Sequence, residues 1–175
     1  NQAARGSLTV LRNNANVLPV RLPAGSTVVV TGPRAADTGS CCIWTSYFHQ
    51  EYGSLSTFDA IAARGASAGV NVVRDTAANP SLAIVSVGEP YYTHATSWVK
   101  EQPMLPPDQL ELIRSWKARG VPVVVLLTMA RPYVISEWNE VADAWWSTSG
   151  PARRSGPRWR ASSSATSSRP GSCPG

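Results

Sequence analysis

The stretch Leu82-Ala83-Ile84-Val85-Ser86-Val87-Gly88-Glu89-Pro90-Tyr91-Tyr92-Thr93-His94 decides how this chain is to be read. Its first half is an apolar, largely β-branched run, and its second half turns abruptly polar and aromatic. A strand without polar alternation has no solvent face, so it belongs in a parallel sheet covered on both sides. Such sheets bind their ligands beyond the carboxyl ends of the strands. Gly88-Glu89-Pro90 then delivers Glu89, Tyr92 and His94 to the place where chemistry is usually done. The plainer reading of the same turn is strand-ending punctuation, and the residues alone leave both open.

Outward from this strand the chain alternates. Toward the amino terminus, Val70 to Val73 reads as a short strand, and Thr57 to Ala68 as a helix with Phe58, Ile61 and Ala62 on one face. Ser26 to Gly32 is a buried strand closed by Gly32-Pro33, followed by an aromatic-rich loop from Ala35 to Gly53. Ala3 to Arg12, with Leu8, Val10 and Leu11 at helix-like spacing, predicts a short opening helix that the Asn13 to Asn16 cluster stops. Toward the carboxyl terminus, Pro106-Pro107 and Gly120 bracket a helix through Leu110, Ile113 and Trp116. Val121 to Leu127 is a further strand with Pro122 at its start. Tyr133 to Ile135 predicts another short strand, and Glu140 to Ala144 approaches one more element. Strands alternating with helices predict an α/β fold, a layered α/β sandwich around a mostly parallel sheet. No strand is followed by a Gly-x-Gly-x-x-Gly turn or a Walker-type lysine loop, so a stand-alone nucleotide-binding protein has no support.

Composition bounds the function. The 175 residues, 43% hydrophobic and 15% charged, suit one globular core. The net charge of +5 suggests nucleic acid until its distribution is seen. No acidic residue follows Asp143, whereas Arg153, Arg154, Arg158, Arg160 and Arg169 do. Removing those five from the 16 Lys and Arg leaves 11, equal to the 11 Asp and Glu. The body is neutral, which argues against a nucleic-acid partner. No window approaches the roughly 20 apolar residues of a membrane span, and no signal-peptide pattern opens the chain. A soluble protein is expected, secreted or not, with no membrane partner. The start at Asn1 instead of Met points to processing, trimming or excision from a longer protein. Cys41, Cys42 and Cys173 are odd in number and lack metal-ligand spacing, so no metal is implied and the compartment stays open.

The order of motifs resembles the second domain of glycoside hydrolase family 3, the β-glucosidase-like enzymes. The resemblance rests on Ala3-Ala4-Arg5, Ser7 to Asn13 and Asn16-Val17-Leu18-Pro19. It continues in Thr31-Gly32-Pro33 with Ala36-Asp37-Thr38-Gly39, in Ile43-Trp44-Thr45, and in Val87-Gly88-Glu89-Pro90 with Tyr92. Pro122 to Val125 and Arg131-Pro132 complete it, over roughly residues 1 to 144. It implies an α/β sandwich beside a barrel domain normally on the same chain, a β-glucoside or oligosaccharide substrate, and no cofactor. It also implies retaining hydrolysis through a covalent glycosyl-enzyme, with two carboxyl groups about 5 to 5.5 Å apart. The family's nucleophilic Asp lies on the barrel, so this chain lacks it and is expected to be inactive alone. The alternative is a non-catalytic carbohydrate-binding or remnant domain.

The resemblance also assigns candidate residues. Trp44 would cover the apolar face of a sugar ring, with a buried core Trp as the plain alternative; Cys42 and Ile43 precede it where relatives carry two glycines. Tyr92 and Asp37 are further substrate-binding candidates. His94 stands at the position of the family's acid/base Glu and can donate a proton near neutral pH. Glu89 and Glu101 are the carboxylates able to substitute, and a solvated loop histidine is the plain alternative. Ala130 replaces the usual glycine before Arg-Pro.

Residues 145 to 175 form an irregular basic Ser/Arg/Pro/Gly tail, which ordinarily reads as disordered. Shifted by one base, however, Gly150 to Arg154 can conceal Arg-Pro-Gly-Glu-Glu. Ser162 to Thr166 can likewise conceal Val-Leu-Phe-Gly-Asp, and Gly171 to Pro174 Lys-Leu-Pro after a glycine, all segments the family carries. A frameshift close to Trp145 is therefore expected. It would make Trp145, Trp146 and Trp159 accidental and leave the domain, bounded at 144, truncated without its closing helix and sheet edge.

Overall fold

The computed structural model describes residues 8–38, 55–88, 104–129 and 133–148. Among the described residues eight elements follow one another: β1 (Leu8–Asn13), β2 (Thr27–Thr31), α1 (Thr57–Ala66), β3 (Asn71–Arg74), β4 (Leu82–Gly88), α2 (Pro107–Ala118), β5 (Val123–Thr128) and β6 (Ala144–Thr148). The strands make one six-stranded sheet in the order β1-β6-β5-β4-β2-β3. All neighbours are parallel except β1 and β6. The predicted layered α/β sandwich with a mostly parallel sheet is therefore what the chain forms.

Period-two alternation sorts the apolar side chains onto the two faces of the sheet. Val29, Ala83, Val85, Val87, Val123 and Val125 pack on one face with Leu110, Ile113 and Trp116 of α2. Val28, Val30, Leu82, Ile84 and Val124 pack on the other with Ile61 of α1. Because β4 is buried along its whole length, its continuous apolar run has the physical cause inferred for it. Each helix starts and stops on local chemistry. Ser56 caps α1 by accepting from the Asp59 N–H at 3.0 Å. Pro107 opens α2, and Gly120, at φ +73°, follows its end.

Three readings change. The opening helix expected over Ala3 to Arg12 is instead β1 from Leu8 onward, with residues 1–7 outside the described residues. Leu8 and Leu11 share helical spacing, but antiparallel pairing with β6 sets the conformation, placing Val10 opposite Trp146. The strand expected at Tyr133 to Ile135 is only an isolated bridge between Val134 and Met104. The element approached by Glu140 to Ala144 is β6, which begins at Ala144 and carries the sheet to Thr148, past the boundary drawn at 144. Trp145 is 5% exposed and meets Trp138 edge to face at 5.0 Å. Its Nε1–H donates to Asn139 Oδ1 at 3.0 Å, so this Trp is a working part of the core.

Candidate functional site

The connections leaving β2 and β4 diverge. After β2 the chain passes to α1 on one face and returns as β3; after β4 it passes to α2 on the opposite face and returns as β5. Two crossovers that part in this way open a crevice between the carboxyl ends of β2 and β4, the topological switch point of the sheet. Both strands whose ends were expected to carry the site meet there.

The β2 wall is a turn, Gly32-Pro33-Arg34-Ala35, closed by the Ala35 N–H donating to Gly32 O at 2.9 Å. Gly32 has φ +101°, and a β-carbon there would stand 2.3 Å from the Ser86 carbonyl oxygen, so glycine alone lets the turn lie against β4. The Arg34 N–H bonds that same oxygen at 3.1 Å, while the Phe58 N–H donates to Ala35 O at 2.8 Å. The turn is thereby fixed to β4 on one side and to the start of α1 on the other. Arg34 and Asp37 form an ion pair with both side chains largely covered. Asp37 offers acceptor oxygens, and the Arg34 Nε–H is buried with no partner among the described residues, which leaves a donor in the same wall.

The β4 wall ends at Gly88. Its N–H donates to Gln109 Oε1 at 2.8 Å, and Gln109 Nε2 donates to its carbonyl at 3.3 Å. Beside β2, Thr31 Oγ1 lies 3.4 Å from Asp75 Oδ1, a weak contact at the end of β3. Among the described residues no three His, Cys, Asp or Glu side chains gather as a metal site. No described helix is long and apolar enough to cross a membrane. A cavity of about 420 Å³ lies elsewhere, near the start of β4 and beside Pro122, lined by Val17, Leu18, Val20 and Leu22. It lies at the opposite end of β4 from the crevice, and Arg21 is the one ionisable side chain in its lining.

Of the site residues read from the sequence, Asp37 is placed in the crevice wall, where it pairs with Arg34. Trp44, Glu89, Tyr92, His94 and Glu101 lie outside the described residues; Glu89 follows Gly88 directly in the chain. Arg34 and Gln109 escaped the sequence reading. The signal for Gln109 was there: it is a polar residue on the stripe that carries Ile113 and Trp116, the buried side of α2.

The architecture is that of an α/β sandwich domain with a switch point between β2 and β4, flanked by the largely covered Arg34–Asp37 ion pair and by the buried Gln109 amide. The family's sequence profile for the glycosyl hydrolase family 3 C-terminal domain matches residues 8–158. The chain belongs to this family. Solved structures agree on the fold. An exo-1,3/1,4-β-glucanase (ExoP) from a Pseudoalteromonas species superposes with TM-score 0.70 at 22% identity, over 86% of this chain and 20% of that one. A β-glucosidase from Listeria innocua, crystallised with isofagomine, gives 0.67 at 22%, over 87% and 23%. A β-D-glucoside glucohydrolase from Trichoderma reesei gives 0.63 at 18%, over 89% and 26%. The chain thus spans about a fifth to a quarter of the length of these proteins. No curated protein matches it.

Proposed function

We propose that this chain is the substrate-presenting half of a β-glucosidase-like site. It holds a β-glucoside or oligosaccharide at the crevice between β2 and β4, and hydrolysis proceeds with retention when a barrel domain supplies the nucleophilic Asp. The observation that supports this most is the coincidence of the switch-point crevice with the two loops through which the resemblance brings the sugar. In this reading Trp44 covers the sugar's apolar face, and Tyr92 and Asp37 bond its hydroxyls. The pairing with Arg34 holds Asp37 as an acceptor and compensates its charge, as suits a neutral polyhydroxyl ligand. His94 takes the acid/base role, with Glu89 or Glu101 as the substitute carboxylate. A chromogenic β-glucoside offered to the chain alone and to the chain with a supplied barrel domain tests the proposal. Turnover only with the barrel is the expected result, and turnover by the isolated chain would overturn it.

One observation favours a second reading, a non-catalytic carbohydrate-binding domain: a histidine stands where the resemblance expects a glutamate. Sugar binding without turnover, even with the barrel present, would select it. For the tail, we propose that translation leaves the family's register close to Trp145. Sequencing the coding DNA decides this, and absence of the family segments from the shifted frame would sink it.

A further inference from the structure

The two strands that frame the crevice are of unequal reach. β2 and β4 stay in register only as far as Thr31 opposite Val85. There β2 turns away at Gly32, while β4 runs on through Ser86, Val87 and Gly88. In a parallel ladder alternate residues direct both backbone groups to the same neighbour. The Ala83 N–H bonds Pro122 O at 2.9 Å on the β5 side, so Ser86 and Gly88 face the side that β2 has left. Their polar groups are buried there and require partners. The Arg34 N–H serves Ser86. Gly88 is served by a side chain: Gln109 accepts from its N–H at 2.8 Å and donates to its carbonyl at 3.3 Å.

A primary amide carries the same donor and acceptor as a peptide unit, so Gln109 completes the ladder where the strand is missing. It is 7% exposed in the first turn of α2, where an unpaired amide would be costly. On its other side Gly88 abuts β5, and a β-carbon there would stand 2.0 Å from Thr128 O. The last peptide before Glu89 is therefore gripped from both directions.

We propose that Gln109 is a positioning residue: its amide replaces the absent strand edge and sets the direction in which the chain leaves β4 toward Glu89. Its consequence for sugar rests on the reading above that this exit serves the sugar site; the grip on Gly88 does not. Amide hydrogen exchange of the full chain, read at Gly88 by NMR against Val85 and Val125, tests the grip in wild type, Q109M and Q109E. In wild type the Gly88 amide is expected to be protected like its strand neighbours. In Q109M it should exchange roughly five- to tenfold faster, the factor for one net hydrogen bond, with Val85 and Val125 unchanged. Q109E should recover protection at about pH 4, where a protonated carboxyl both accepts from the Gly88 N–H and donates to its carbonyl. Ionisation toward about pH 7 keeps the acceptor and removes only the donor, so recovery there should be partial once the pH dependence of intrinsic exchange is removed. A glucose titration of the same proteins should show affinity falling by a similar factor in Q109M and recovering in Q109E with the same pH dependence.

Unchanged Gly88 exchange in a folded Q109M would overturn the proposal. So would a freely exchanging Gly88 amide in wild type, a result that needs no variant to fold. Faster exchange with unaltered glucose affinity would overturn the link to the sugar. A wild type that binds no glucose would instead overturn the sugar-site reading, and the exchange contrast would still decide the role of Gln109.

Discussion

Replacing Gly88 by alanine tests the construction of the crevice at its tightest point. The new β-carbon would lie 2.0 Å from Thr128 O, 2.8 Å from its carbonyl carbon and 2.9 Å from its nitrogen. All three are backbone atoms of a buried strand and have no side-chain freedom with which to retreat. Gly88 also has φ +127°, a region that costs a non-glycine residue about 1 to 3 kcal/mol. Relief requires the ends of β4 and β5 to part by more than an ångström, which breaks the Gln109 pair and the adjoining ladder at about 1 kcal/mol net per bond. Together these give a loss of about 4 kcal/mol. Gly25 is the control, because it too has positive φ, +85°, but no atom lies within 4 Å of its β-carbon position. Gly25→Ala should cost only about 1 kcal/mol. Urea unfolding at equal slope should therefore separate the two variants by about 3 kcal/mol, or by about 6 to 12 °C in Tm. Gly32→Ala, with its β-carbon 2.3 Å from Ser86 O, should behave like Gly88→Ala. Midpoints for Gly88→Ala and Gly25→Ala that agree within about 1 kcal/mol would refute the close approach of β4 to β5.

Further outcomes follow from individual contacts. Trp145→Ala should cost about 3 to 5 kcal/mol, and Trp145→Phe, which keeps an aromatic ring but loses the bond to Asn139 and part of the ring volume, about 1 to 2.5 kcal/mol; a silent Trp145→Ala in a urea melt would place residues 145–148 outside the folded unit. Asp143 accepts from the Val123 N–H at 2.8 Å and from Lys117 Nζ at 2.6 Å. Asp143→Ala should cost about 1.5 to 3 kcal/mol and Lys117→Ala less than about 1 kcal/mol; equal losses would refute the priority given to the backbone bond. The two oxygens of Glu140 accept from Arg12 at 2.7 and 2.8 Å. These bonds first, and the charge of Arg12 second, hold its carboxyl below the usual value of 4.5. The stability it contributes is thus complete above that value and is lost as pH falls through the lowered one. The gap between wild type and Glu140→Gln in urea midpoint should close on acidification and narrow with added salt; a gap independent of pH would refute the pairing.

Tertiary closure explains which parts of the chain were legible. β4 was readable because burial on both faces leaves its mark on every residue, and α2 because proline and glycine bracket it. β1 was not, since a short edge strand with Val10 53% and Leu11 48% exposed carries no alternation, and only its pairing with β6 makes it a strand. Trp145 and Trp146 looked accidental because the expected frameshift begins close to them. The partners that explain Trp145, Trp138 and Asn139, meet it only when the sheet has closed.

The candidate site divides in the same way. Gly32 and Gly88 were visible as strand ends, yet their necessity lies in carbonyl oxygens on neighbouring strands. Asp37 was readable as a candidate from its place in a motif, whereas the ion pair with Arg34 belongs to the geometry of a turn. Gln109 showed only as a polar residue on the buried stripe of α2, and what it satisfies, a gap in a ladder left by another strand, lies outside its own segment.

By itself the sequence determined the alternation of buried strands and capped helices, the neutral body with a basic tail, and the family to which the chain belongs. These are properties of local pattern, set by burial period and backbone preference. Only the tertiary structure decided that β1 is a strand, that residues 144–148 complete the sheet, and that Arg34 and Gln109 finish what β2 leaves open. Those facts depend on contacts between residues far apart in the chain, and backbone groups that one segment leaves unpaired can be counted only when every segment is in place.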